Sequence, residues 1–134
     1  MPRFDVAPCA KVRQTQSDRW KQRPCVMRYR AFADECRRLK MELKDCDAVV
    51  FYIEMPKSWS SKVKSAFDGQ PHRSRPDLDN LLGGLMDAIM PGGDSHLSAL
   101  HSVRKVWARK PGIEISNPYG EAGGHSAAGE VMAV

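Results

Sequence analysis

Between residues 26 and 44 the apolar positions fall three and four apart: Val26, Tyr29, Phe32, Ala33, Cys36, Leu39 and Leu43. That interval is the repeat of a helix surface, so the segment predicts one helix over about 26–44 with a single buried stripe. Arg30, Arg37, Arg38, Lys40 and Lys44 fall on its other face, as on a solvated helix. After Asp45 and Asp47 the pattern changes. Residues 48–53 (AVVFYI) are β-branched and aromatic, a run short enough for a buried strand, and Pro56 stands just beyond it. Leu78, Leu81, Leu82, Leu85, Met86 and Ile89 return to helical spacing, and Pro91-Gly92-Gly93 predicts the end of that helix near residue 90. Further on, Val103-x-x-Val106-Trp107, then Lys110-Pro111-Gly112, then the alternating Ile113-Glu114-Ile115 predict a hairpin of 100–108 with 112–117. A short first strand is expected over 3–9.

The segments between these elements are polar. Residues 10–24 read as a basic loop containing Trp20, with Pro24 just before the first helix. Residues 56–76 read as a long polar connection, and a loop of that length in a compact domain is usually functional or disordered. Residues 118–134 are rich in Gly, Ala and Ser, with little to bury, and are expected to be a flexible tail. The organisation expected is therefore one domain over 1–117 and a tail over 118–134.

Charge changes this picture more than composition does. The 134-residue chain carries a formal +5, but residues 1–76 hold 17 Lys/Arg against 9 Asp/Glu, and residues 77–134 hold 4 against 7. A basic front half joined to an acidic cluster suits a polyanionic partner and a local cation site; a merely solvated basic surface is the plainer alternative. No apolar run approaches the roughly 20 residues that span a bilayer, and the N-terminus lacks a signal peptide's hydrophobic core. A cytoplasmic protein without a membrane partner is expected. Cys9, Cys25, Cys36 and Cys46 form no C-x-x-C pair, so they read as free thiols rather than zinc ligands.

The chemistry concentrates in Arg75-Pro76-Asp77-Leu78-Asp79-Asn80. Two carboxylates straddle Leu78 where a helix begins, and a helix N-terminus favours negative charge. One reading is a helix cap plus a turn residue. The other is a divalent-cation site: in extended chain, residues two apart point the same way, and Mg²⁺ takes a few carboxylates together with water and phosphate oxygens. Asp94, in the glycine-rich break after the helix, is the candidate third ligand, provided the chain returns toward the helix start. An EF-hand loop beginning at Asp77 fails, with Leu82 in place of the turn glycine and Ala88 in place of the last glutamate. Serine-hydrolase and phosphate-loop patterns are absent.

Gly69-Gln70-Pro71-His72, Arg75-Pro76-Asp77-Leu78-Asp79-Asn80-Leu81-Leu82, Asp87-Ala88-Ile89 and Asp94-Ser95-His96, taken in that order, resemble the RusA family of Holliday junction resolvases, small endonucleases associated with phages and prophages. Ser17-Asp18-Arg19-Trp20-Lys21, Met55-Pro56-Lys57-Ser58-Trp59-Ser60 and Val103-Arg104-Lys105-Val106-Trp107 resemble the same family, and the likeness covers about residues 4–117. It implies an α+β subunit of order β-α-β-α-β-β with a small mixed sheet, paired in a homodimer. It further implies Mg²⁺-dependent resolution of four-way DNA by paired symmetric nicks, with Mn²⁺ as the other candidate ion and no small-molecule cofactor, in a bacterial or phage-infected cell. By that resemblance Asp77, Asp79 and Asp94 are the metal-binding, catalytic residues. Lys11, Arg13, Arg19, Lys21, Lys57, Lys62, Lys64, Arg73, Arg75 and Lys105 are the expected DNA-binding set, since phosphate contacts position DNA without reading it. Trp20 and Trp59 are either core anchors or stacking surfaces.

The chain departs from the family pattern twice. Where the family usually has a lysine, four residues after the second aspartate, stands Gly83, followed by Gly84. Where the family often has a pair of aspartates, Gly93 precedes a single Asp94. Lys105 or Arg75 is the expected substitute cation. Failing that, the chain is a catalytically impaired junction binder. A structural module with a solvated basic face is the remaining alternative.

Overall fold

The computed structural model describes residues 3–11, 24–90, 93 and 97–118. Its elements run β1 (Arg3–Phe4), α1 (Pro24–Arg38), β2 (Ala48–Glu54), α2 (Ser61–Phe67), α3 (Leu78–Ile89), β3 (Ser102–Ala108) and β4 (Gly112–Ser116). The α+β class and small mixed sheet are as expected, with one helix more than the expected order and a first strand of only two residues.

The sheet order is β1-β4-β2-β3. β3 and β4 are not paired, so the expected hairpin does not form. β2 lies between them, parallel to β3 (Val49↔Val103, Ile53↔Trp107) and antiparallel to β4 (Val49↔Ile115, Phe51↔Ile113). The reason is burial. Val49 and Phe51 are fully buried, and such a strand needs partners on both edges. Residues 109–111 can step over it, because two strand spacings come to about 9.6 Å and four peptide units reach about 13 Å.

One face of the sheet, carrying Val49, Phe51, Ile113 and Ile115, meets Phe32, Ala33 and Cys36 of α1 and Leu81, Leu85 and Ala88 of α3 in a single core. The helices are also tied by hydrogen bonds from Tyr29 Oη to the Gly84 carbonyl (2.8 Å) and from Arg37 Nε to the Ala88 carbonyl (3.0 Å). Burial first, and then the nearby Asp87 carboxylate, push the Tyr29 phenol up to about 12, so it stays a donor at neutral pH. Arg37 therefore does not belong to a purely solvated face.

α1 ends six residues before its expected limit. Lys40 takes a left-handed conformation (φ 55°), and Met41 N and Lys40 N donate back to the carbonyls of Cys36 (3.2 Å) and Arg37 (3.0 Å). This paired closure satisfies carbonyls that the helix end would leave open. Met41 and Leu43 are buried while Lys40, Glu42 and Lys44 are exposed, the two-residue alternation of extended chain. The polar stretch 56–76 is not one long loop, because α2 interrupts it. Ser60 caps α2 by accepting from Val63 N at 3.3 Å. No residue of α2 is buried. Instead Trp59 packs its half-buried ring against Phe67 (5.1 Å) and Trp107 (5.0 Å), which makes it an anchor for this helix. Trp20 lies outside the described residues. The four cysteines are free thiols, and no described helix is long and apolar enough to cross a membrane.

Candidate active site

The chain reaches the acidic motif along the outer edge of β3. Gly69 N donates to Trp107 O (2.9 Å), Trp107 N to Gln70 O (2.9 Å) and His72 N to Lys105 O (3.1 Å). This short ladder covers the edge and delivers residues 73–77 to the start of α3. Lys105 then fixes the turn, its Nζ donating to the carbonyls of Ser74 (2.5 Å) and Pro76 (2.7 Å). The Arg75–Pro76 peptide is cis. Lys105 thus holds the backbone that presents Asp77.

Asp77 is the N-cap residue of α3, with extended backbone (φ −70°, ψ 151°), and Asp79 lies in the first turn. The two are therefore not alternate residues of one extended strand. Asp77 makes no side-chain cap hydrogen bond, and among the described residues neither carboxylate has an ion-pair partner. Capping does not account for Asp77. Both side chains are exposed, and Arg75, Pro76, Asp77 and Asn80 line an open depression of ≈ 630 Å³.

Asp94 lies outside the described residues, as do Arg13, Arg19, Lys21 and His96. Gly93, which precedes Asp94, follows the far end of α3 from Asp77; twelve helical residues measure about 18 Å. Among the described residues no three His, Cys, Asp or Glu side chains gather as a metal cluster. Of the expected DNA-binding set, Lys57, Lys62, Arg73 and Arg75 are exposed and Lys64 is half-buried.

Two features escaped sequence reasoning. His72 is buried against the Trp107 ring (4.4 Å), and among the described residues its Nδ1 has no hydrogen-bond partner. Burial first, and then the neighbouring Lys105 cation, hold its pKa below the usual 6.5. The second is how residues 9–11 cross α3. Lys11 N donates to Asn80 O (2.9 Å), and a Cβ built on Gly84 would stand 2.5 Å from Cys9 O and 3.0 Å from Lys11 N. Only glycine admits that approach. The paired glycines at 83 and 84 were a sequence signal for a close crossing, but nothing in the sequence said which segment crosses.

Exposed aspartates at a helix start, beside an arginine in an open cleft on a basic α+β domain, define a class of protein that handles a polyanion. Residues 5–116 match the family described as Endodeoxyribonuclease RusA, and the chain belongs to that family. It is a family of metal-dependent endonucleases acting on Holliday junctions and other branched DNA. No curated protein and no solved structure matches the chain.

Proposed function

We propose that this chain is a homodimeric endonuclease that resolves four-way DNA junctions by paired symmetric nicks, in recombination and repair, in the cytoplasm of a bacterial or phage-infected cell. The observation that carries the reading is the Asp77 carboxylate, which stands at the α3 N-cap in an open cleft without a cap hydrogen bond. Asp77 and Asp79 offer the hard oxygen donors that Mg²⁺ or Mn²⁺ takes, and Asp94 completes the set provided the chain beyond Gly93 turns back from the far end of α3 toward its start. Such an ion, when bound, activates water and neutralises charge on the attacked phosphate. The chain's own residues do the rest. Lys105 holds the 74–76 turn so that Asp77 faces the cleft, and Arg75 meets the phosphodiester at its rim. Lys57, Lys62, Lys64 and Arg73, with Lys11, Arg13, Arg19 and Lys21 from the N-terminal segment, hold the DNA arms. A two-fold dimer suits a two-fold junction because each subunit addresses one of two opposed strands.

The test is incubation of a labelled synthetic four-way junction with wild type and Asp77→Asn in Mg²⁺. Symmetric nicks by wild type, lost in the variant, are expected; nicks of equal rate from both proteins would remove Asp77 from the site. Gly83 favours a second reading, a junction-binding protein with impaired chemistry. Binding without Mg²⁺-dependent cleavage by wild type would establish it.

A further inference from the structure

We infer that Lys11 is a mobile cation of the active site, parked on Asp87 in the free protein and transferred to a DNA backbone phosphate at the Asp77–Asp79 end of α3; the inference rests on the DNA-binding reading above. The backbone of Lys11 is fixed at the level of Gly83 and Gly84, one helical turn along the same face from Asp79, through the hydrogen bond from its N to Asn80 O and the tight crossing at Gly84. Its side chain runs over Gly83, where a Cβ would lie 3.4 Å from Lys11 Cδ. Gly83 leaves the helix surface bare, and the lysine stem lies on that surface. The ammonium ends 3.2 Å from Asp87 Oδ2.

Asp79 and Asp87 are eight residues apart on α3, about 12 Å along its axis. The main chain of Lys11 is anchored between them, beside Gly83 and Gly84, while its charge rests on the second. Rotation about the flexible four-carbon stem brings the ammonium back toward the cleft. The present partner does little to prevent this, because the two side chains are 54% and 49% exposed and an ion pair so open to water is weak. A DNA phosphate entering the cleft offers a competing anion. The other basic groups around α3 are less available: Lys105 is bonded to two carbonyls and Arg37 to the Ala88 carbonyl. Arg75 lines the cleft directly, and the test separates it from Lys11.

The experiment compares wild type, Lys11→Met, Asp87→Asn, Arg75→Met and the exchange Lys11→Ala/Gly83→Lys. Lys11→Met keeps the stem over Gly83 and removes only the charge. The first readout is the salt dependence of binding to a synthetic four-way junction in Ca²⁺, which needs no catalysis. Lys11→Met should reduce the log–log slope by about 0.9, the loss of one phosphate contact, with thermal stability unchanged. Asp87→Asn should tighten binding by removing the competing carboxylate. The second readout is single-turnover cleavage in Mg²⁺ at saturating enzyme. There Lys11→Met should be at least about tenfold slower, a floor set below the roughly 10²–10³-fold that a preorganised donor contributes, and the exchange variant should recover most of that loss.

An unchanged slope and an unchanged rate in Lys11→Met would overturn the inference, leaving Lys11 as a surface ion pair. So would an effect confined to Arg75→Met. If wild type does not cleave but Lys11→Met still loses one phosphate from the slope, the nuclease reading falls and the Lys11 contact stands.

Discussion

Gly83 and Gly84 should respond in opposite directions to the same substitution. Alanine is better than glycine in a helix interior by about 1 kcal/mol, and that gain applies at both positions. At Gly83 the new methyl meets only the Lys11 stem, at 3.4 Å, an ordinary contact with a flexible group. Gly83→Ala should therefore stabilise by about 0.5–1 kcal/mol. At Gly84 the methyl would meet main-chain atoms, with Cys9 O at 2.5 Å, Lys11 N at 3.0 Å and the Ala10 carbonyl carbon at 3.2 Å. Relieving that overlap moves residues 9–11 off the helix. The cost is the Lys11 N to Asn80 O bond, about 1 kcal/mol, plus about 1–3 kcal/mol of overpacking. Set against the same helix gain, Gly84→Ala should destabilise by about 1–3 kcal/mol. Equilibrium urea unfolding of both variants beside wild type at one pH reads the difference directly, provided the m-values agree. If Gly84→Ala proves as stable as Gly83→Ala, residues 9–11 do not cross α3 at this point, and the seat proposed for Lys11 goes with them.

His72 gives a pH test. Its folded pKa lies below the usual 6.5, so the unfolded chain takes up the proton first. Stability is full above about pH 6.5 and falls as pH drops toward the folded value. His72→Phe keeps a ring against Trp107 and removes the unpartnered Nδ1. It should raise stability by about 1 kcal/mol and flatten this part of the urea-midpoint-against-pH curve; a curve superimposable on wild type would clear His72 of the acid sensitivity. Asp94→Asn should abolish cleavage as Asp77→Asn does while leaving junction binding intact, and wild-type rates in that variant would limit the metal ligands to the α3 end. Lys105→Met should slow cleavage by freeing the 74–76 turn, with binding changed by less than about threefold if its role is to hold backbone; loss of binding alone would make Lys105 a phosphate contact instead.

The sequence was legible where one periodicity governs a whole element. The stripes of α1 and α3, the apolar run of β2 and the placing of Asp77 and Asp79 at a helix start all follow from spacing and residue type. α1 overran because Leu39 and Leu43 continue a helical interval, while the actual stop is a left-handed lysine, which carries no sequence mark as a glycine would. α2 was hidden because it buries nothing and so shows no stripe. The exchange of partners around β2 was hidden because β3 and β4 alternate and turn as a hairpin would, and only burial of the third strand decides between the two pairings. At the site, residue types announced the aspartates, but the crossing of Lys11 over Gly83 joins segments some seventy residues apart, a distance over which no local pattern reports.

The insertion of β2 between β3 and β4 also governs how the domain can be assembled. Each late strand finds its partner more than 50 residues earlier in the chain, and contacts that distant form slowly. A peptide of residues 97–118 alone would carry two strands with no edge to join. During synthesis the order is favourable, because the middle strand is already made when its two neighbours emerge. A circular permutant that begins at residue 97 would reverse that order and offer β3 and β4 only each other until β2 arrived.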